Sequence, residues 1–210
     1  MVKSVRILEA GYCNHPERMV RSTGSLALGK FPANVVVIDH AQEGIVLFDT
    51  GYGEDFNQIT AKMPEMIYRL LIRVVITPET SAQARLRVLG IKRDDVKHVI
   101  LSHLHADHVG GVRDFPKATY HVDLPALQHY QGLSKFNQVR AGFLSALLPD
   151  DFETRLKPFD SSQFTSGNFG LGNLSFGQDL FSDGSIIFVP LPGHMKGHVG
   201  IQVQTEGGDK

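Results

Sequence analysis

Ser102-His103-Leu104-His105-Ala106-Asp107-His108-Val109-Gly110-Gly111 packs four metal-competent side chains into the six residues from His103 to His108. His103 and His105 stand two apart, so at the end of an extended strand they project to the same side, while a turn after them can swing Asp107 and His108 toward a second position. That spacing suits two adjacent metal ions. The run before it, Val96-Lys97-His98-Val99-Ile100-Leu101, is largely β-branched and apolar, as a buried strand should be. Gly110 and Gly111 allow close backbone approach where a helix is expected to begin. The stretch is therefore expected at the carboxyl end of a strand, where loops carry chemistry.

His-x-His-x-Asp-His followed by Gly-Gly resembles the signature of the metallo-β-lactamase-fold hydrolases, a superfamily of lactonases, glyoxalase II thioesterases, zinc β-lactamases and RNA-processing nucleases. Two further elements carry the same resemblance. Leu47-Phe48-Asp49-Thr50-Gly51 is similar to the family's Asp-Thr-Gly element, which implies that Asp49 braces the metal loop through hydrogen bonds. The other reading of Asp49 is a cap on a helix starting near Glu54. Pro192-Gly193-His194-Met195-Lys196-Gly197-His198 is similar to the Gly-His-x-x-Gly-His stretch, whose first histidine is a ligand. The resemblance thus implies one site of His103, His105 and His194, a second holding Asp107 and His108, and His198 as a buried hydrogen-bonding residue.

The fold so implied is α/β: an αββα sandwich of two mixed β-sheets, face to face and flanked by helices, with the site at one edge. The resemblance spans approximately Asp49 to Gln204. Family members add a bridging aspartate on the next strand and a last histidine tens of residues later, and this sequence supplies neither. Gly207-Gly208-Asp209 reads as a hairpin turn that should lead into the strand carrying the bridge, and Asp209 itself sits too early to be that ligand. The expectation is a single domain over 1–210 whose second half is incomplete.

The 210 residues, 42% of them hydrophobic and 20% charged, are enough for one well-formed core and describe an ordinary soluble protein. A formal charge of −1 and a pI of about 6.8 offer no basic surface to a phosphate backbone, which disfavours a nucleic-acid partner. The opening Met1 to Glu9 lacks the apolar core of a secretory signal, and no stretch approaches a membrane span. No membrane partner and a cytoplasmic location are expected. The one cysteine, Cys13, cannot form an internal disulfide, and its neighbours give no reason for a lowered pKa, so it reads as structural.

Along the chain, Val5 to Ala10 reads as a first strand and Gly11 to Pro16 as a loop. Ala33 to Asp39 and Gly44 to Asp49 read as a hairpin. From Met63 the pattern turns helical: Met66, Ile67, Leu70, Leu71, Val74 and Val75 fall on one apolar face until Pro78, and a second helix covers Ser81 to Leu89. Such a stripe is expected in the core, with a lid or a homodimer contact as alternatives. Gly111 to Phe115 is expected to continue a helix and Ala118 to Val122 to form a strand, with His121 at its end read as a satisfied structural histidine before a residue lining the site. Pro125 to Gln131 and Lys135 to Leu148 are helical in composition. Eight of the thirteen phenylalanines lie from Phe136 to Phe181 among glycines, and read as loops with aromatic anchors: a substrate wall or ordinary core. Strands are expected over Ser185 to Leu191 and His198 to Gln204.

Three neutral imidazoles leave a zinc ion its full charge and an open position, so that bound water falls from a pKa of about 15.7 to around 7. Two zinc ions per complete site are expected, with iron or manganese accepted by the same donors. The reaction expected is attack of metal-bound hydroxide on an ester-like bond of a small molecule, a lactone first, with Asp107 as the catalytic group that orients the nucleophile and takes its proton. Alternatives are a glyoxalase II-like thioesterase or β-lactamase, a mononuclear iron enzyme oxidising sulfur compounds, and a non-catalytic fragment.

Overall fold

A computed structural model describes residues 1–19, 22–171 and 174–206. In chain order its elements are β1 Val2–Pro16, β2 Leu28–His40, β3 Gly44–Phe48, α1 Phe56–Ile59, α2 Glu65–Leu71, β4 Arg73–Val75, α3 Ala82–Val88 and β5 Val96–Ile100. There follow α4 Ala106–Val109, β6 Thr119–His121, α5 Leu124–Gln131, α6 Lys135–Arg140, β7 Thr165–Leu171, β8 Leu174–Asp179, β9 Ile186–Pro190 and β10 Val199–Val203. They build two sheets. The first has the order β4-β1-β2-β3-β5-β6 and the second β10-β9-β8-β7. The first is mixed, with β3, β5 and β6 parallel to one another and the remaining pairs antiparallel. The second is antiparallel throughout.

Period-two alternation assigns the two faces of the first sheet. Val37, Leu47, Val99 and Leu101 point into one cluster with Phe56, Leu86, Val109, Leu127 and Val139 from the helices. Ile38, Val46 and Ile100 point the other way, onto Ile186, Phe188 and Val199 of the second sheet. The fold is thus the α/β two-sheet arrangement expected, except that the second sheet is antiparallel where a mixed one was expected, and the buried apolar residues of the helices belong to the first cluster. No described helix is long and apolar enough to cross a membrane.

Several local expectations fail for tertiary reasons. Gly11 to Pro16 is strand, because Tyr12, Cys13 and Asn14 pair with β2 on one side and with β4 on the other, after an irregularity between Glu9 and Tyr12. The helix from Met63 stops at Leu71, and Val74 and Val75 serve that same edge pairing. Its stripe is core only in part: Ile67 and Val74 pack half-buried against the first cluster, whereas Leu70 and Leu71 are 69% and 67% exposed. Ser81 does cap α3, its Oγ accepting from Ala84 N–H at 3.3 Å. The helix expected after Gly111 is a 3₁₀ turn over Val112–Asp114, and the one over Lys135 to Leu148 ends at Arg140.

The aromatic stretch is mostly core and partly strand. Thr165–Leu171 and Leu174–Asp179 form a hairpin, Phe143 and Phe152 lie in the first cluster, and Phe159 and Phe164 lie between the sheets. Phe136 and Phe176 are exposed. Gly172 and the turn at Gly207-Gly208-Asp209 lie outside the described residues. His121 is buried with its Nε2 3.0 Å from Nδ1 of His98, as a structural histidine should be.

Asp114 makes one pH prediction. It is 7% exposed, and its Oδ2 is buried with no hydrogen-bond partner among the described residues. Burial first, then Glu54 and Asp55, push its carboxyl up to about 7. The folded chain therefore holds this proton more tightly than the unfolded chain, and the associated stability is full below about pH 4 and drains as pH rises to about 7. Urea melts should show Asp114→Asn free of that decline, which reaches up to about 1.4 kcal/mol per pH unit, and more stable than the unaltered chain at pH 8. Parallel pH profiles for the two proteins would refute it.

Candidate metal centre

β5 delivers Leu101 to His105 at its carboxyl end, and the loop after β9 delivers His194 and His198. One backbone bond ties these two segments, Val199 N–H donating to Ser102 O at 2.9 Å. His105 precedes the single turn of α4, which places Asp107 and His108 in that turn. The loop after β3 clamps the turn from below. Thr50 N–H and Oγ1–H both donate to His108 O, at 2.9 and 2.7 Å, and Gly111 N–H donates to Gly51 O at 3.0 Å. The fit is close enough that a Cβ on Gly110 would stand 2.7 Å from Ala106 O and 2.8 Å from Gly51 O.

Asp49 sits under this assembly, not at a helix cap. α1 is preceded by Asp55, and Asp49, 3% exposed with φ of 65°, accepts from Ser102 N–H and Ser102 Oγ–H at 2.8 Å each. Its Oδ2 also accepts from His108 Nδ1–H at 2.7 Å. Since the Ser102 hydroxyl hydrogen goes to Asp49, its oxygen is left to accept from His103 Nδ1–H, 2.9 Å away. His103 therefore carries its proton on Nδ1 and turns the Nε2 lone pair outward.

That lone pair meets two others. His103 Nε2 and His194 Nε2 each lie 3.0 Å from His105 Nδ1, and the ligand atoms of the three residues all fall within 4.8 Å of one another. Burial, with His108 and the neighbouring imidazoles, holds His103 well below the usual histidine range, and burial lowers His105 to about 4 against the pull of Asp107. Both rings are neutral at pH 7, the form that ligates. Three converging imidazole nitrogens with one proton location already fixed fit a divalent cation.

Asp107 and His108 stand beside this group and not in it. His108 Nε2 is 3.4 Å from Asp107 Oδ2. Burial opposes charge on His108, but Asp49 and Asp107 overcome it and raise it to about 10. Burial likewise opposes charge on Asp107, yet His108 keeps that carboxyl below its usual value. His198 departs from expectation: it is half-buried, and its Nδ1 is a buried atom with no hydrogen-bond partner among the described residues. A cleft of about 590 Å³ opens at His194 and His198, lined also by Tyr130, Pro190, Pro192 and Met195. No phenylalanine among the described residues lines it, which favours ordinary core over substrate wall, the two readings the sequence left open for that aromatic stretch. A larger cavity of about 710 Å³ shares Pro125 and Asp160 with it but touches none of the histidines.

The sequence profile of the metallo-beta-lactamase superfamily matches residues 28–209. The chain belongs to the metallo-beta-lactamase superfamily. Among superfamily relatives, the probable metallo-hydrolase Rv2300c of Mycobacterium tuberculosis is 28% identical over 81% of this chain and 52% of its own length. The N-acyl homoserine lactonase AttM of Azorhizobium caulinodans is 31% identical over 59% of this chain and 42% of its own. The chain thus spans about half the length of the curated relatives it matches. A solved N-acyl homoserine lactone hydrolase, with N-hexanoyl-L-homoserine at its catalytic metal centre, shares the fold. It superposes with a TM-score of 0.74 at 20% identity, over 99% of this chain and 72% of that one.

Ser102 is the residue of this superfamily site that sequence reading passed over. The signal was present as a hydroxyl immediately before the first histidine, but only the fold puts Asp49 on its other side.

Proposed function

We propose that this chain is a metal-dependent hydrolase that cleaves an ester-like bond in a small molecule, a lactone before other substrates. The observation that carries the reading is the convergence of His103 Nε2, His105 Nδ1 and His194 Nε2, drawn from both sheets, with neutral rings at two of the three positions. A divalent ion held there, which we take to be zinc, would acidify a water and polarise the substrate carbonyl. Asp107 and, once a bound ion displaces the proton on its Nε2, His108 would offer two ligands for a second ion.

The chain's own groups do the rest. Asp49 and Ser102 hold His103 in the ligating tautomer, and the carboxylate of Asp107, ionised at neutral pH, would orient the attacking oxygen and take its proton. The cleft at His194 pairs Pro190, Pro192 and Met195 with Tyr130, a lining suited to a small, partly apolar acyl compound. The relatives named as N-acyl homoserine lactonases make lactones the first substrates to try. The buried thiol of Cys13, pushed up by burial and so unreactive, suits a reducing compartment, and we place the protein in the cytoplasm.

The test is a panel of acyl homoserine lactones, glutathione thioesters and cephalosporins offered to the zinc-loaded chain. Lactone opening that stops on chelation and returns with zinc is the expected outcome. Hydrolysis of the thioester alone would end the lactonase reading, and tight iron binding with oxygen consumption would replace the hydrolase.

A further inference from the structure

α6 ends in a way that bears on the site. Gly142, with φ of 75°, follows its last turn, its N–H donating to Val139 O at 3.0 Å while Phe143 N–H donates to Gln138 O at 3.0 Å. That is the paired pattern of a helix closed by a left-handed glycine. The glycine does more than close the helix. Its carbonyl accepts from Ala106 N–H at 3.1 Å, the residue after His105. Its α-carbon faces the His105 ring so closely that a Cβ would lie 2.7 Å from Cδ2 and 3.2 Å from Nε2.

Those two atoms form the ring edge opposite Nδ1, the nitrogen that meets His103 and His194. A side chain pressing there has nowhere to send the ring along its own direction, because Nδ1 already stands 3.0 Å from each of the other two ligand nitrogens. The ring can only turn out of the group.

We infer that Gly142 is a positioning residue for the metal centre: the bare α-carbon at the end of α6 is the stop that holds His105 Nδ1 at the point shared with His103 and His194. The inference rests on the metal-centre reading above. It separates from an ordinary glycine requirement because Gly90, with φ of 77°, has nothing within 4 Å of its built Cβ. Alanine there carries the same backbone strain without touching a ligand.

The experiment compares the unaltered chain with Gly142→Ala, Gly142→Asn and Gly90→Ala. Each is titrated with cobalt(II), read by its visible absorption, and with zinc against a chromophoric chelator, while thermal melting is followed in chelator. Gly142→Ala should bind both metals at least tenfold more weakly with an altered cobalt spectrum. Gly90→Ala should melt earlier yet bind as the unaltered chain does. Gly142→Asn should stay weak, since asparagine tolerates φ above zero but keeps the Cβ, and it carries the test if the alanine variant does not fold. Normal metal binding by either Gly142 variant overturns this inference alone. Failure of the unaltered chain to bind cobalt or zinc overturns the metal-centre reading and this inference with it.

Discussion

His194→Ala should lower zinc affinity by about two orders of magnitude while leaving the metal-free protein as stable as before. A tetrahedral zinc site is worth about 10–16 kcal/mol over four ligands, so one imidazole accounts for about 3 kcal/mol, or roughly a hundredfold in affinity. The fold has little to lose. His194 is exposed, in the loop between β9 and β10, and its ring atoms meet other histidines. A surface change of this kind moves stability by no more than about 0.5 kcal/mol. The proposed lactone hydrolysis, measured at a fixed, limiting zinc concentration, should drop by about three orders of magnitude, because the ion would supply several kcal/mol of charge stabilisation in the transition state. The measurements are chelator competition for zinc, urea melts in chelator and initial rates. Zinc affinity unchanged in the variant would mean that the three rings do not share an ion.

What the sequence made legible follows from the range of the interactions concerned. His103, His105, Asp107 and His108 sit within one strand end and one turn, so their spacing speaks for itself, and the β-branched run before them announces β5. Interactions between distant segments were legible only where a family pattern supplied them, as for Asp49 and His194. Where no pattern helped, local reading erred both ways, carrying helical periods too far and taking as loop the strand residues Gly11 to Pro16 and the hairpin of Thr165–Leu171 and Leu174–Asp179. Val74 and Val75 keep helical spacing with Leu70 and Leu71, yet the free edge of β1 at Tyr12 and Cys13 takes them as strand. Backbone hydrogen bonding to a distant segment outweighs a propensity difference of under about 1 kcal/mol per residue. Gly142 was invisible for the same reason. Its use is defined by His105, and nothing near it in sequence names that partner.

Asp49→Ala should destabilise the metal-free chain by about 3–5 kcal/mol, the cost of breaking a buried charge pair and leaving its donors unpaired. Three donors are stranded at once: Ser102 N–H, Ser102 Oγ–H and His108 Nδ1–H, all within 2.8 Å of the carboxylate. The backbone adds to the loss, because φ of 65° suits aspartate or asparagine far better than alanine. Asp49→Asn therefore separates the two causes, keeping the conformation and one acceptor while removing the charge. Its amide group must turn an N–H toward either Ser102 or His108, each of which is already donating, so the asparagine variant should lose part of the stability and not recover it. Zinc affinity should fall by about 10–100-fold in that variant, the usual effect of disturbing a group that orients a ligating histidine. The path is specific. Without the carboxylate the Ser102 hydroxyl hydrogen is free to point at His103 Nδ1, which favours the tautomer with its proton on Nε2, the nitrogen that faces His105. Fifteen-nitrogen NMR of the imidazoles in the metal-free chain reads that tautomer directly. An asparagine variant with the proton still on Nδ1 of His103 and undiminished zinc affinity would show that Asp49 holds the loop but does not set the ligand.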